Sequence, residues 1–439
     1  MSVVPAGEVL SGLVGLTLFC FFILVVLIIA FGALISLRDL LKELASWACD
    51  LRSSTVRRRA YAREERVWRA ERRTAEAALL VARFDDPVGI TAASVAGRLL
   101  VIARDDETIL LRSLERDCGV VGGFSLEEAG GAVRHIAVSP NGEFVAAGGR
   151  GAEVGVFLAD GRKLCSVAPR PSGAFEAWDA TADDADGYLQ LNEWLVGLAL
   201  GPVGAGGAAT LTAAWGYQYG PDGFPGPTFG SGAVLVRRFR LTGREAGGRP
   251  EPVAEFLHDA GHVGFGGGWG VAIAPGGCPV FVGSGRGAVL AELGEGGWER
   301  SLGKDLGRPL ACSSGGGLLV GSLPDRVASG AGFRGSLVLW NGSAGERLLV
   351  ADEAVLRFGP AAGVSPDGSL VAVEARERRP LPGLPYPEYR VRGTVRVYVA
   401  ATGEPAGKLP VEGSLLVAFS PGGESLVTVE PGGVKIWRL

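Results

Sequence analysis

The sequence predicts an all-β fold made of repeated units, and three observations lead to this class. Short apolar runs such as LLVAFS, SLVTV and VKIWRL follow one another over Ser414–Leu439, and alternation within a run places every second side chain on one face of a strand. Pro-Gly-Gly turns separate these runs. The 70 Gly and 25 Pro show no Gly-X-Y period and accompany 47% hydrophobic residues, which indicates many tight turns in a packed protein.

The chain starts with eight residues whose only charge is Glu8, and 29 uncharged residues follow from Val9 to Leu37. About 20 apolar residues cross the hydrocarbon core of a bilayer, so residues 9–37 are predicted to form a transmembrane helix. A cleaved signal peptide is the alternative, but the run is long and no Lys or Arg precedes it. Residues 1–8 would then be a short non-cytoplasmic N-terminus of a single-pass cell-membrane protein.

A basic helical stalk is predicted over residues 38–76, which lack Gly and Pro and are rich in Arg, Glu, Ala and Leu. Residues 38–73 contain eleven Lys or Arg and six Asp or Glu. The positive-inside rule therefore places the N-terminus outside the cell and all later residues in the cytoplasm. A coiled coil that dimerises the protein is an alternative reading of the stalk. The residues expected to bind anionic lipid headgroups are Arg38, Lys42, Arg57, Arg58 and Arg59.

Residues 77–439 contain seven units of an apolar strand, a turn and another apolar strand. Four units have a Ser/Ala-Pro-x-Gly turn, and these turns begin at Ser139, Ala274, Ser365 and Ser420. Three further units keep the strand order without that turn, and they begin at Thr91, Trp194 and Ala311. A recurring unit of this length is typical of repeat architectures in which neighbouring units bury a shared core.

The chain resembles WD40-repeat β-propellers in its Ser-Pro-x-Gly turns, in Gly261-His262 ahead of VAIAPGG and in the terminal VKIWRL. The resemblance implies a ring of seven, or eight, four-stranded blades. Two departures leave other seven- or eight-bladed propeller families open: Trp437 precedes Arg438 and Trp340 precedes Asn341, where family members often have Trp-Asp, and one Gly-His pair remains.

The last unit supplies three strands before the chain ends at Leu439, whereas a blade needs four. Residues 77–84 (AALLVARF) are an apolar run that belongs to no unit. We expect this run to close the ring by pairing with the strand Val434–Leu439, which leaves only short, protected sheet edges. The stalk would then join the propeller at the seam of the ring.

The long insertions should all lie on one face of the ring, because second-to-third-strand loops and blade-to-blade loops emerge together. These insertions are residues 216–232, 322–335, 377–393 and 169–192. Exposed aromatic residues among Pro and Gly are good protein contacts, so they are candidate partner-binding residues; the alternative is that they fold back and cap the blades. The candidates are Tyr217, Tyr219, Phe224, Phe229, Tyr386 and Tyr389.

Residues 182–193 resemble a calcium-binding EF-hand loop. Asp184, Asp186 and Glu193 take three ligand positions and Gly187 takes the turn position, but Ala182 stands where the first Asp belongs. An acidic turn without metal is the alternative, so no cofactor is predicted, with Ca²⁺ as the one candidate. There is no CxxC pair, and the three His are isolated.

No GxSxG, GxxxxGK[ST] or HExxH motif occurs, and the net charge of −4 gives no case for nucleic acid. The sequence therefore predicts a non-enzymatic, membrane-anchored cytoplasmic propeller that serves as a protein-interaction scaffold or as an accessory subunit of a membrane complex. Two alternatives stay open: a ligand- or calcium-binding sensor or enzyme that uses the central channel, and an extracytoplasmic propeller in envelope assembly or a redox chain. Few Asn, Gln and Met suggest a thermophilic host.

Overall fold

A computed structural model describes most of the chain beyond residue 53. The described residues are 21–24, 26, 42–43, 54–114, 119–126, 132–149, 152–169, 190–204, 207–220, 230–242, 250, 252–263, 270–284, 287–293, 297–303, 308–313, 316–323, 336–342, 345–351, 355–381, 389–411 and 413–439. They fall into two compact units. One comprises Met1–Trp68 and Pro380–Tyr389, and the other comprises Arg69–Arg379 and Arg390–Leu439.

The first unit contains most of the helix α1, which spans residues 54–79. Ala60, Glu64 and Trp68 are buried at helical spacing on one face of α1, and the predicted membrane-surface residues Arg57, Arg58 and Arg59 are exposed. The predicted residues 1–8 and nearly all of residues 9–37 lie outside the described part of the chain. Within the described part, we find no helix whose length and apolar character suffice for a membrane crossing.

The second unit is built of β-strands arranged in seven four-stranded sheets, with antiparallel pairing wherever a register is defined. Blade 1 contains β2 (Ile90–Ala96), β3 (Leu99–Arg104), β4 (Thr108–Ser113) and β5 (Val120–Ser125). Blade 2 contains β6 (His135–Val138), β7 (Phe144–Gly148), β8 (Val154–Leu158) and β9 (Lys163–Val167). Blade 3 contains β10 (Gln190–Leu200), β11 (Ala208–Gly220), β12 (Gly230–Thr242) and β13 (Pro252–Val263). Blade 4 contains β14 (Gly270–Ile273), β15 (Val280–Ser284), β16 (Gly287–Ala291) and β17 (Glu299–Gly303).

The remaining three blades follow the same order. Blade 5 contains β18 (Arg308–Cys312), β19 (Leu318–Leu323), β20 (Ser336–Asn341) and β21 (Glu346–Ala351). Blade 6 contains β22 (Val355–Val364), β23 (Leu370–Pro380), β24 (Tyr389–Val399) and β25 (Pro405–Leu409). Blade 7 contains β26 (Leu416–Phe419), β27 (Ser425–Glu430), β28 (Gly433–Arg438) and, as its fourth strand, β1 (Leu80–Asp85). The seven units found in the sequence correspond one to one to these blades.

The first and last strands of the propeller pair with each other. In the antiparallel ladder of β1 and β28, Ala82 lies opposite Ile436 and Phe84 lies opposite Val434. The predicted closing run 77–84 therefore supplies the fourth strand of the last blade from Leu80 onwards, whereas its first three residues, 77–79, belong to α1 and not to the strand. Because this pairing joins residues far apart in the chain, the ring is closed by hydrogen bonds between its two ends.

The hydrophobic core lies between the blades as seven clusters, one for each pair of neighbours. The strands in the middle of a sheet are consequently buried on both faces. Leu426, Val427, Thr428 and Val429 of β27 are all fully buried. Alternation in the sequence predicts one buried face for such a strand, and the difference arises because each sheet is covered on both sides by its neighbours.

A serine closes the turn between the first two strands in several blades. The Ser365 hydroxyl accepts a hydrogen bond from the Leu370 amide at 2.9 Å, and the Gly368 amide donates to the Ser365 carbonyl at 2.9 Å. Blade 5 has the same two bonds from Leu318 and Gly316 to Ser313 although its turn contains no Pro. Serine and a glycine at positive φ therefore carry this turn, and Pro is dispensable in it.

Candidate interaction surface

The two ends of the propeller differ in the connections that they carry. In each blade, antiparallel order brings the connection between the second and third strands to the same end as the connection to the next blade. We call this the loop end, and it receives residues 221–229, 324–335 and 170–189. The other end, here the opposite end, receives the connections between first and second and between third and fourth strands. The two longest connections of the propeller unit, 170–189 and 324–335, therefore lie at the loop end, whereas the connection 243–251 of blade 3, which is as long as 221–229, lies at the opposite end.

Blade 3 projects beyond its neighbours at the loop end. Its strands have 11 to 13 residues, whereas β7 of blade 2 has five. The added part is a regular sheet in which Glu193 pairs with Tyr217, Leu191 pairs with Tyr219 and Ser231 pairs with His262. These strands are six to eight residues longer than β7, which corresponds to roughly 20–27 Å of added strand at about 3.4 Å per residue. The result is a raised wall that carries the 221–229 connection at its tip.

Tyr217 lies at the base of this wall, and its side chain is buried. Its side chain is 3% exposed and packs in the core between blades 2 and 3 together with Trp215. The Trp215 indole donates a hydrogen bond to the Ala152 carbonyl of blade 2 at 2.6 Å. Burial raises the pKa of Tyr217 well above its ordinary value, and the Glu193 carboxylate adds to the effect. For Tyr217, the structure therefore shows the folded-back arrangement rather than an exposed partner contact.

For the other aromatic candidates, the structure defines the flanking strands but does not describe the side chains. Tyr219 lies in the last part of β11 and Tyr389 is the first residue of β24, but the structure does not describe either side chain. Phe224, Phe229 and Tyr386 lie outside the described residues. Partner binding by these five residues stays a prediction.

The predicted calcium loop is described only at its last residue. Glu193 lies in β10 opposite Tyr217 of β11, its side chain is exposed, and partial desolvation raises the pKa of its carboxyl group. Asp184 and Asp186 lie outside the described residues, as does the predicted membrane-surface residue Arg38. Lys42 is described as helical and exposed. No cluster of three potential metal ligands occurs in the part of the chain that the structure covers, and the calcium hypothesis stays a prediction.

Blade 6 contains a buried ionic cluster centred on Glu377. The Glu377 side chain is 3% exposed, and its two oxygens accept hydrogen bonds from Thr394 at 3.0 Å, from Arg396 at 2.7 Å and from Lys408 at 2.6 Å. Burial alone would raise the pKa of Glu377, but Lys408, Arg396 and Thr394 outweigh it and hold the pKa below its usual value. The cluster therefore ties together the second, third and fourth strands of the blade.

The C-terminal part of α1, residues 69–79, is fixed to blades 6 and 7 by ion pairs along its length. Glu71 pairs with Arg379 of β23 at 2.5 Å. Arg72 lies 3.7 Å from Glu430, at the end of β27, and Glu76 lies 3.2 Å from Lys435 of β28. These contacts make this part of the helix an integral piece of the propeller unit.

The direction of this helix segment follows from the same contacts. Arg379 and Glu430 are at or next to the last residues of second strands, so both lie at the loop end. After the helix, Leu80 pairs with Trp437 at the opposite end of β28. Residues 69–79 therefore run from the loop end towards the opposite end, and the chain enters the propeller unit at the loop end.

The ionic contacts of blades 6 and 7 were missed by reasoning from motifs. Glu374, Arg376, Glu377 and Arg379 alternate within one strand, and the sequence analysis placed Glu377 and Arg379 in a loop. The usable signal was a set of alternating charges directly after the apolar run LVAV, which is a strand pattern with polar residues on both faces.

Comparisons with known proteins identify the architecture and nothing more specific. No protein-family model matches the chain, and no curated protein matches it. Among solved structures, U3-55K is similar over 82% of this chain and 98% of its own, with 14% identity and a TM-score of 0.50. The Myceliophteria thermophila Cps50 (Swd1) β-propeller domain is similar over 82% and 99%, with 13% identity and a TM-score of 0.47.

The chain has a WD40-like, seven-bladed β-propeller fold. At such low identity the likeness to U3-55K concerns the fold alone. The WD40 resemblance in the sequence is thereby confirmed at the level of architecture, and the blade number is seven.

Proposed function

We propose that this protein is a membrane-anchored cytoplasmic β-propeller that serves as a protein-interaction scaffold or as an accessory subunit of a membrane complex. The observation that carries the proposal is the loop end, where the long connections 170–189, 221–229 and 324–335 converge and blade 3 forms a raised wall. Loops on a rigid scaffold are where binding residues are concentrated. The partner-binding residues in the proposal are Tyr219, Phe224, Phe229, Tyr386 and Tyr389.

The ion pairs that the buried charged residues form support a binding role rather than a catalytic one. Glu377 is held by Arg396 and Lys408, Arg237 pairs with Glu255 at 2.6 Å, and Lys435 pairs with Glu430 at 2.9 Å. At catalytic sites, ionisable groups with a perturbed pKa typically face a cleft. These groups instead connect neighbouring strands of one sheet, so they stabilise blades.

Membrane anchoring is supported by the N-terminal sequence and by its described fragments. Residues 9–37 carry no charge. Within this run, Phe21–Leu24 and Val26 are helical, and their large apolar side chains are 42 to 65% exposed, which is compatible with a helix surrounded by lipid. The excess of Lys and Arg after the run favours a cytoplasmic propeller, and the exposed Arg57, Arg58 and Arg59 would lie near anionic headgroups.

The partner-binding proposal is tested by removing aromatic side chains from the loop end. Phe224→Ser with Phe229→Ser, and Tyr386→Ala with Tyr389→Ala, should lower recovery of the co-purifying partner without changing the melting temperature. The matched control is Trp298→Ala, which removes a 42% exposed aromatic side chain at the opposite end. Equal recovery from all three variants and the unmodified protein would exclude the aromatic residues of the loop end as the contact.

The anchoring proposal is tested by fractionation and protease accessibility. The full chain should remain in the membrane pellet after high-salt and alkaline washing, and a variant without residues 1–53 should be released. Protease added to intact cells should leave the propeller uncut until lysis, because the proposal places it in the cytoplasm. Digestion in intact cells would instead support the extracytoplasmic alternative.

A further inference from the structure

We infer that the outer edge of blade 1, which is the unpaired side of β5, is a second protein-binding site that takes up an extended segment of another protein as a fifth strand. The segment that fits carries a bulky apolar side chain and, two residues away, a basic one. This inference goes beyond the proposed loop-end contact and depends neither on that contact nor on the membrane anchor. Two independent features support it, an unprotected strand edge and a cavity next to that edge.

β5 lacks the residues by which the other blades protect their outer edges. A free strand edge can pair with another chain, and proteins discourage such pairing with charged residues or Pro on the edge strand. The sequence of β5 is VVGGFS, which contains neither, and Val120 and Val121 are 54% and 60% exposed. The outermost strand of every other blade contains at least one charged residue: Lys163 in β9, Glu255 in β13, Glu299 in β17, Glu346 in β21, Lys408 in β25 and Arg83 in β1.

The backbone of β5 presents hydrogen-bonding groups at this edge. The Leu126 amide donates to the Glu107 carbonyl, just before β4, at 3.0 Å. Because hydrogen-bonded and non-hydrogen-bonded pairs alternate along an antiparallel ladder, Ser125 and Gly123 direct their amides and carbonyls away from β4. No strand in the described part of the chain pairs with that side of β5. Glycine inside a strand often marks a place where another backbone approaches closely, as Gly122 and Gly123 would allow here.

A cavity of about 420 Å³ lies between blades 1 and 2 and borders Ser125, the last residue of β5. Its floor is one face of blade 2, where the small residues Ala147, Gly155 and Ser166 lie beside one another across three strands. Leu126 adds a buried apolar wall. Strand-addition sites combine main-chain hydrogen bonds with pockets for alternate side chains of the added segment. The cavity is therefore suited to one bulky apolar side chain of a segment paired with β5.

The charges beside the cavity define the neighbouring residue of the segment. Glu153 is exposed, lines the cavity and precedes Gly155 by two residues, so the two lie on one face roughly 7 Å apart. Lys163 lines the cavity on the other side of the pair formed by Gly155 and Ser166. A basic side chain two residues from the apolar one would lie near Glu153. In a segment antiparallel to β5, that basic residue comes first.

The side chains of β5 favour a different protein over a second copy of this chain as the occupant. Gly122 and Gly123 have no side chain to place in a cavity. Phe124 already packs against Phe157 of blade 2, with ring centroids 5.6 Å apart. Two β5 edges paired with each other would therefore leave both cavities without a bulky side chain.

The binding mode is tested with the full-length protein in mild detergent and a fluorescently labelled probe peptide, Thr-Thr-Arg-Thr-Phe-Thr-Thr, by fluorescence anisotropy. Two further probes are N-methylated at all odd-numbered or at all even-numbered residues. Only alternate amides of an added strand face β5, so one methylated probe should lose binding and the other should keep it. Equal loss or equal retention by the two probes would overturn strand addition, and no binding of the unmethylated probe would overturn the inference as a whole.

Substitutions in the protein locate the site. Ser125→Pro removes an outward-facing amide, which an edge strand tolerates, and should abolish binding. Ser166→Phe fills the cavity and should weaken binding about tenfold, as expected for one aromatic side chain that is no longer buried. The matched control is Ser301→Phe, which makes the same change at an exposed position of β17 and should bind like the unmodified protein. Unchanged binding by the first two variants, with unchanged melting temperatures, would place the probe elsewhere and overturn the inference.

Two further measurements test the chemistry of the occupant. Glu153→Lys should weaken binding of the Arg probe by up to about fivefold and strengthen binding of a probe with Glu in place of Arg. The same change for both probes would overturn the assignment of a basic residue next to Glu153. Analytical ultracentrifugation should show no dimer that depends on β5. A dimer of the unmodified protein that Ser125→Pro abolishes would assign the edge to a second copy and overturn the assignment of a different protein.

Discussion

At the scale of single residues, the propeller depends on charges and hydroxyls that are buried with fixed partners. Glu377 contacts two cations and a threonine, and Lys435 contacts Glu76 and Glu430 with its side chain only 5% exposed. Removing one member of a buried ion pair leaves the other charge uncompensated, which costs about 3–5 kcal/mol. Substitutions at these positions should therefore act on stability and not on partner binding.

Glu377→Gln is predicted to lower the free energy of unfolding at pH 7 by about 3 kcal/mol, since Arg396 and Lys408 lose their buried counter-charge. The folded pKa of Glu377 lies below its unfolded value of about 4.3, so the carboxylate stabilises the fold above that pH and ceases to do so as the pH falls through the folded pKa. Urea unfolding of both proteins across this range measures the effect. A difference that grows on acidification would contradict the assignment.

Ser365→Ala is predicted to cost about 1 kcal/mol, because the Leu370 amide loses its acceptor. The Ser365 hydroxyl also donates to Asp367 at 2.6 Å and, with the amide and hydroxyl of Ser369, lowers the pKa of Asp367 to about 2. That pKa should therefore rise in the variant, which an NMR titration can follow. Ser313→Ala in blade 5 is the comparison, and a similar loss there would show that the turn does not need Pro.

Residue roles were the hardest feature to predict from the sequence. Tyr217 belongs to the same aromatic stretch as Tyr219 and Phe224, and composition does not separate them. Its place in the core depends on the pairing of β10 with β11 and on the packing of blade 2 against blade 3, both of which join residues distant in the chain. The partners of Glu377 on β24 and β25 depend on long-range pairing in the same way.

At the scale of strands and helices, the seam of blade 7 is the feature on which the ring depends. Strand order and turns were predictable because each blade carries its own local pattern of apolar runs and turn residues. The ring-closing strand was predictable by counting, since the last unit lacked one strand and AALLVARF belonged to no unit. The extension of blade 3 was not predictable in this way, because Gly216 and Gly220 flank its Tyr residues and a Pro-Asp-Gly sequence follows, and Gly, Pro and Asp are depleted in strands.

The register at the seam predicts where a disulfide can form. Ala82 and Ile436 are directly opposite in the antiparallel ladder and both pack against the core between blades 1 and 7. Residues opposite each other in such a ladder have Cα atoms about 4.5–5.5 Å apart, which suits a disulfide. Ala82→Cys with Ile436→Cys should therefore cross-link on oxidation and raise the melting temperature.

The matched control for this disulfide is Arg83→Cys with Ile436→Cys, since Arg83 lies opposite Lys435 and one residue out of register. Side chains one residue apart in a strand point to opposite faces, so this pair should remain reduced. Cross-linking of the control, or none in the matched pair, would contradict the register of β1 and β28. Non-reducing electrophoresis detects the cross-link in each variant, and a melting curve measures its effect on the melting temperature.

At the scale of the whole molecule, the sequence predicts the fold but does not identify the partner. The number of blades and the closed ring follow from repeated local patterns, and the structure confirms them. The partner does not follow from them, because one propeller scaffold supports many functions and specificity lies in the loop residues. The structure adds the end at which the chain enters the propeller unit. Residues 69–79 begin at the loop end, which also carries the connections 170–189, 221–229 and 324–335.

The central claim is that the loop end holds a protein partner at the membrane. Its most direct test is purification of the N-terminally tagged protein from native membranes in mild detergent, followed by native mass measurement and residue-level cross-linking. The account predicts a stoichiometric complex with an integral membrane protein, with cross-links from residues 221–229 and 324–335 of the loop end. A single species of about one chain mass that survives dilution, or cross-links confined to the opposite end, would contradict it.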